Sequence, residues 1–442
     1  MGEPYSPAGP TETPIFVPHG ALPILAAAFA AGLRLSAMAA SRISFERIRP
    51  ALAAVLWVIF AASFAAGLVG GFLGRAAKAP AAEPPARTDA PAIALIPVGR
   101  FDFTAPRSEN RALAPEELSG IAWIEGSHYI AIGDEHATMH RLEIDLDPET
   151  GRIKSVHFEK AIPLRYEDGT LIPDSLGSDR EGIEFNPDDH TVCISNEHTG
   201  ADQSRPSIAC HTMDEGRTTR LIRTDGPDML KVFSTERLNG GFESITRRPD
   251  GGEIWSGNEM PLTVDGDLPS DTTGAVVRLQ KFDPTMKPLA QYAYRLDPYP
   301  QKIAMPPRLR GYAVNGLSEL LMLPGGTLLA LERTFAGDTA GFPNLRIRIY
   351  QVDLDGATDV SGIGPDVGLR GARYVPASKR LLWEKNFGLT NSNFEGMAIG
   401  PQLRNGDLPL ILVADNNGGD DEAFYTLRIS GLAPRQASAP HQ

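Results

Sequence analysis

Arg180-Glu181-Gly182-Ile183-Glu184, a corner at Asn186-Pro187-Asp188-Asp189, and a return through Val192-Cys193-Ile194 to Ser195-Asn196-Glu197 read as one β-hairpin with a glutamate at each open end. The design recurs four more times. Leu118-Ser119-Gly120-Ile121-Ala122 is followed by Gly133-Asp134-Glu135, and Phe242-Glu243-Ser244-Ile245-Thr246 by Gly257-Asn258-Glu259. Leu317-Ser318-Glu319-Leu320-Leu321 is followed by Leu331-Glu332-Arg333, and Phe394-Glu395-Gly396-Met397-Ala398 by Ala414-Asp415-Asn416. The second position of the leading motif falls at 119, 181, 243, 318 and 395. Turn-forming residues lie midway in each copy, such as Pro249-Asp250-Gly251-Gly252 and Pro324-Gly325-Gly326. Glycine supplies positive φ at such corners and proline presets φ. The flanks, including Tyr129-Ile130-Ala131-Ile132 and Leu410-Ile411-Leu412-Val413, are short apolar runs suited to buried strands.

Two further strand-like runs follow most hairpins. They are His140–Leu146 with Val156–Leu164, Ser207–Met213 with Leu230–Thr235, Ala275–Phe282 with Gln291–Leu296, and Leu345–Leu354 with Arg380–Phe387. The fifth copy is followed by Phe424–Ile429 alone, and Ile93–Phe103 is the available donor of its missing strand. Four-stranded units repeating at this length predict an all-β fold, a β-propeller of five blades, closed between its two ends. The extra polypeptide at Pro298–Tyr312 and Asp355–Lys379 reads as long loops, with a sixth blade as the alternative.

The propeller needs only residues 93–431 of the 442, leaving a tail at 432–442. Residues 1–50 carry no strand pattern. Ala51–Gly74 is apolar, uncharged and long enough to span a bilayer. Arg42, Arg47 and Arg49 precede it, which predicts an anchor with the propeller outside, on the periplasmic or extracellular side. A cleaved signal helix is the competing expectation, and Met38 a competing start. Residues 75–92 form an Ala/Pro-rich linker. The net charge of −13 disfavours nucleic acid and anionic membrane surfaces as partners, so membrane contact is expected through the N-terminal helix only. Cys193 and Cys210 fall on neighbouring strands. A disulfide in an oxidising compartment and two buried thiols both stay open.

The spacing sets Glu181 opposite Glu197 and Glu243 opposite Glu259. Like charges directly opposed destabilise a sheet, so a cation, a basic neighbour or a raised pKa must offset them. With the hairpins innermost, the acidic ends converge on one face around the channel. Glu181, Glu243, Glu319, Glu332, Glu395 and Asp415 are the expected metal ligands. Oxygen donors of this kind suit Ca²⁺, or Mg²⁺ as the alternative, over zinc. Glu197 and Glu259 are ligands or general bases, Arg180 and Arg333 substrate clamps, and His136 and His198 substrate-orienting groups. Each also has a plain structural role open to it, as a strand cap, an interblade ion pair or a loop histidine. Gly-x-Ser-x-Gly, His-Glu-x-x-His and the P-loop signature are absent from the sequence, which disfavours a serine nucleophile and leaves metal-activated water attack.

Asp179-Arg180-Glu181-Gly182-Ile183-Glu184, Asn239-Gly240-Gly241-Phe242-Glu243-Ser244-Ile245, Gly316-Leu317-Ser318-Glu319-Leu320 and Leu329-Ala330-Leu331-Glu332-Arg333 resemble the phytase-like domain family, described by an esterase-like activity of phytase. Asn393-Phe394-Glu395-Gly396-Met397-Ala398 with Leu412-Val413-Ala414-Asp415-Asn416-Asn417 is the most specific of these matches. The resemblance spans roughly residues 95–430. It implies an extracytoplasmic propeller hydrolysing phosphate or carboxylate esters of small molecules, and carries over no catalytic residue set. The alternatives are a non-catalytic, envelope-tethered binding propeller and a calcium-dependent lactonase-like enzyme.

Overall fold

The computed structural model describes residues 93–104, 113–134, 136–173, 178–198, 205–250, 252–299, 313–337, 343–388, 393–415 and 421–432. The expected anchor, the linker and residues 433–442 lie outside these. Among the described residues no helix is long and apolar enough to cross a membrane.

Among the described residues, twenty strands build five four-stranded antiparallel sheets. The chain enters on β1 (Ala94–Thr104) and lays down the first blade as β2 (Leu118–Glu125), β3 (His128–Gly133), β4 (Thr138–Leu146) and β5 (Ile153–Pro163). The second blade is β6 (Ser178–Asn186), β7 (Thr191–His198), β8 (Ser207–Thr212) and β9 (Thr218–Arg223). The third is β10 (Phe242–Arg247), β11 (Ile254–Asn258), β12 (Ala275–Phe282) and β13 (Pro288–Leu296). The fourth is β14 (Ala313–Met322), β15 (Leu328–Gly337), β16 (Pro343–Asp353) and β17 (Ser378–Gly388). The fifth holds β18 (Asn393–Ile399), β19 (Leu408–Asp415) and β20 (Asp421–Ser430), with β1 paired antiparallel to β20 as its outer strand. That closure joins the two ends of the domain, as the missing strand of the last repeat requires.

The blades adhere through five apolar cores, one at each interface. Ile183, Phe185 and Ile194 pack on Ile130, Ile132 and Met139 between the first two blades. Phe242, Ile245 and Phe282 pack on Ile208 between the second and third, and Leu317, Leu320 and Ala330 on Trp255 and Val277 between the third and fourth. Phe394, Leu412 and Tyr425 meet Leu331, Ile347 and Trp383, and Ile411, Val413 and Phe424 return to Leu118, Ile121 and Tyr129. Each fully buried side chain of this size contributes roughly 1.5–3 kcal/mol. The alternation of strand side chains serves both faces of every blade, which is why the inner strands read as nearly unbroken apolar runs.

One expectation needs correction, and one alternative falls away while the expected long loop stands. Leu230–Thr235 is not the outer strand of the second blade. It belongs to a 3-10 helix, Asp228–Thr235, that buries Leu230, Val232 and Phe233 against the blade, and Thr218–Arg223 is the outer strand. Its outward face is mostly exposed, so it carries little apolar pattern. Asp355–Lys379 forms no sixth blade. It runs as turns that bury Val360 and Leu369 against Ala293 of the third blade.

Candidate active site

The five hairpins with acidic ends are the inner hairpins, and their β2, β6, β10, β14 and β18 strands ring the axis. Each inner strand carries one extra residue at the motif. The register slips at Ser119, at Glu181-Gly182, at Glu243, at Ser318 and at Glu395. A bulge of this kind leaves one residue unpaired and re-aims its side chain. The recurrent glycine after it has a steric cause. A Cβ on Gly182 would stand 2.6 Å from the Ile245 nitrogen, and one on Gly396 2.6 Å from the Ser119 carbonyl oxygen. Successive inner strands approach too closely there for a side chain.

The bulge shifts the pairing from what spacing alone suggests. Glu197 stands opposite Asp179, not Glu181, and Asn258 opposite Phe242, leaving Glu243 in the bulge and Glu259 beyond the strand end. Counting from the bulges, the equivalent strand-end residues are Asp134, Glu197, Glu259, Arg333 and Asp415. The fourth copy therefore offers Arg333 where the others offer an acid. Glu332, one residue earlier, points to the opposite face. It joins a buried interblade cluster, accepting from the Tyr294 hydroxyl (2.8 Å), the Asp297 amide (3.1 Å), Asn315 Nδ2 (2.8 Å) and Lys379 Nζ. Glu319 is likewise not part of the ring. It occupies the glycine position of the motif and turns its carboxyl onto backbone N–H groups, its own neighbour Leu320 at 2.9 Å and those of Ile245 and Met397 on adjoining inner strands.

What remains is a tight group of Asp134, Asp179, Glu181, Glu197, Glu243, Glu259, Glu395 and Asp415 around Arg333. Arg333 donates from Nη2 to Glu259 Oε1 (2.9 Å), and from Nη1 to Asn393 Oδ1 (2.8 Å) and to Glu395 Oε1. Asn393 donates onward from Nδ2 to Glu395 (2.7 Å) and Asp415 (3.0 Å). Gly316 makes room for this pairing, since a Cβ there would lie 2.4 Å from Glu259 Oε1. Burial opposes the Arg333 charge, but Glu395, Glu259 and Glu243 outweigh it and hold the guanidinium protonated.

The other half of the group has acids and few donors. One oxygen each from Asp179, Glu181 and Glu197 lies within 4.8 Å of the others, and the same holds for Glu197, Glu243 and Glu259. Glu197 is 1% exposed, and neither of its oxygens accepts a bond from an N–H or hydroxyl donor. Glu243 is within hydrogen-bonding reach of it, but only a shared proton could join the two. Burial first, then mutual repulsion, pushes Glu181, Glu197, Glu243 and Asp134 well above the usual carboxylate range. Asp179 and Glu259 rise less: a hydrogen bond with Glu181 and then the Arg180 charge work against burial at Asp179, and Arg333 does so at Glu259. Burial raises Glu395 to about 8 despite Arg333.

Arg180 is buried beside Asp179 and His211, opposite Asn196. His136 is placed next to the buried His140, which burial and that neighbour lower to about 3. His198 ends β7 opposite Ser178, and its side chain lies outside the described residues, as does Glu135. Cys193 and Cys210 are directly opposed on β7 and β8 and form a disulfide. Asp179 and Asn393 went unassigned by spacing. The signal for both was the extra residue in each inner strand, which moves the position two before the bulged glutamate opposite the strand-end acid.

A five-bladed propeller with a buried carboxylate ring at one end of its inner strands defines the class. Within it, residues 116–418 match the model of the phytase-like family, esterase-like activity of phytase, and the chain belongs to that family. No curated protein matches the chain significantly. Similar solved structures include an α-L-arabinofuranosidase from Podospora anserina in complex with cellotriose, at 11% identity, covering 77% of this chain and 98% of that one, with a TM-score of 0.35. The soluble aldose sugar dehydrogenase from Escherichia coli in the apo-form is 8% identical, with 77% and 100% covered and a TM-score of 0.31.

Proposed function

We propose that the protein hydrolyses phosphate or carboxylate esters of small molecules at the carboxylate ring, with a hard divalent cation, Ca²⁺ before Mg²⁺, held by Glu197 and its neighbours. The observation that carries this is Glu197 itself, a buried carboxylate without a donor among acids that repel it. Such a group costs free energy unless a cation or a proton meets it. The donor set is all oxygen, which fits these ions. Once bound, such an ion supplies positive charge that polarises an ester oxygen and acidifies water.

The residues of the chain do the rest. A guanidinium carries five N–H donors, more than the three bonds Arg333 makes to Glu259, Glu395 and Asn393, so it can orient an anionic ester oxygen. Glu259, raised by burial against the opposing pull of Arg333, is the ring acid proposed to take the proton of the attacking water. An extracytoplasmic setting is part of the proposal, supported by the apolar run Ala51–Gly74 and by the Cys193–Cys210 disulfide.

The test is turnover of chromogenic phosphate and acetate esters by the purified propeller-containing chain with added Ca²⁺ or Mg²⁺. Chelator should abolish it, and Glu197→Gln should lower kcat by about 100-fold or more. No turnover of either ester with either ion overturns the proposal.

A further inference from the structure

Glu197 belongs to both acidic triads at once. Asp179 and Glu181 approach it from its own hairpin, Glu243 and Glu259 from the next blade. Both of its oxygens are buried and without a donor, so neither is committed to the fold. We propose that the ring holds two divalent cations, with the Glu197 carboxylate bridging them, and that the substrate is a phosphoester. This rests on the hydrolase proposed above and narrows it.

The charges favour two ions over one. Asp179, Glu181, Glu197, Glu243 and Glu259 together carry −5 when ionised. One divalent cation leaves −3 on them. Two leave −1; Arg333 is shared with Glu395, so that pair adds no net charge, and Arg180 beside Asp179 brings the set to neutrality. A carboxylate has two oxygens and several lone pairs, so one oxygen can serve each ion without crowding. The outer ligands also divide cleanly, Asp179 and Glu181 on one side, Glu243 and Glu259 on the other.

Paired ions act as a clamp on the attacking and leaving oxygens of an in-line displacement at phosphorus. A carboxylate ester is neutral and offers two cations no anionic oxygen, whereas a phosphoester carries anionic oxygens on phosphorus, which is why phosphoesters are favoured. The reaction is hydrolysis. A water oxygen bonds to phosphorus, the bond from phosphorus to the alcohol oxygen breaks, and a proton from the water passes to that oxygen, giving alcohol and phosphate.

Mn²⁺ is the probe, added to the chelator-stripped full chain and followed by equilibrium dialysis and electron paramagnetic resonance. The expected result is two Mn²⁺ per chain with an exchange-coupled signal. Asp179→Asn and Glu243→Gln should each reduce the stoichiometry to one and leave an isolated six-line spectrum. Glu197→Gln should abolish the coupling. Glu332→Gln, outside the ring, should leave both ions and the coupling in place, and circular dichroism checks the fold of each variant. One uncoupled Mn²⁺ in the wild type overturns the pair while leaving a one-ion hydrolase standing. No bound Mn²⁺, Ca²⁺ or Mg²⁺ overturns both. Turnover of the acetate ester with no turnover of the phosphate ester overturns the assignment of substrate.

Discussion

Asp179 stands directly opposite Glu197 across the β6–β7 hairpin, two acids facing each other where a sheet would ordinarily place complementary groups. Directly opposed like charges weaken a hairpin. The arrangement is tolerable because Arg180 lies beside Asp179, and because protons or cations can neutralise the remainder. The same logic governs Arg333, the one base at a position that is acidic in the other four blades.

Arg333→Met should destabilise the fold by about 3 kcal/mol or more, because it leaves Glu259 and Glu395 buried without their partner. Urea unfolding at pH 7 measures it. Arg333→Lys should recover part of the loss at most, since one ammonium cannot reproduce the fork that holds both carboxylates. Equal stability of wild type and Arg333→Met would contradict the pairing.

Lys379→Met should destabilise the protein through Glu332 and Asp297, which it bridges, without changing cation binding at the ring. Glu332 and the ring carboxylates project from opposite faces of their blades. A calorimetric titration with Ca²⁺ on the folded variant checks the separation, and a large fall in affinity would place Glu332 in the ring after all.

Gly182→Ala should cost about 1–3 kcal/mol, since the added methyl meets the backbone at Ile245 and Ser244 and not a movable side-chain end. Gly126→Ala is the control. A Cβ at Gly126 meets nothing, and only the positive φ of 52° opposes it. Thermal melts of the two variants should differ, with Gly182→Ala the less stable.

Burial raises Glu184 from 4.5 to about 7, against the opposing hydrogen bond from the Arg247 amide (2.9 Å). A carboxyl whose folded pKa is raised binds a proton more tightly in the folded chain. Its contribution is therefore fully present below pH 4.5 and is lost as pH rises through about 7. Glu184→Gln keeps an acceptor for the amide and removes the titration. The variant should lose less stability than wild type between pH 5 and pH 8, and parallel pH dependences would contradict the assignment.

The repeat was legible because its signals are local. Turns at Pro324-Gly325-Gly326 and Asn405-Gly406-Asp407 announce themselves through residues that tolerate their φ, and Gly325 and Gly406 are indeed at φ 89° and 88°. Apolar runs such as Leu410–Val413 and the spare strand ahead of the first copy then count the blades. The second blade's outer strand is hidden in the sequence because Thr218–Arg223 is mostly exposed and carries little apolar pattern, while the neighbouring 3-10 helix buries Leu230, Val232 and Phe233. The candidate site was legible only in outline. Glu181, Glu197, Glu243, Glu259, Glu395 and Asp415 come together, whereas Glu319 and Glu332 are turned away by one residue of register.

Composition and periodicity alone thus dictate five hairpin-led blades, the closing strand and an acidic rim, since turn chemistry and the two-residue alternation of strands act within a few residues. Which acids meet is decided by the bulges, and the bulges exist because five inner strands crowd one axis, a contact between segments some sixty or more residues apart. That crowding selects Asp179 over its neighbours, brings Arg333 and not Glu332 to the ring, and leaves Glu197 at its centre without a donor.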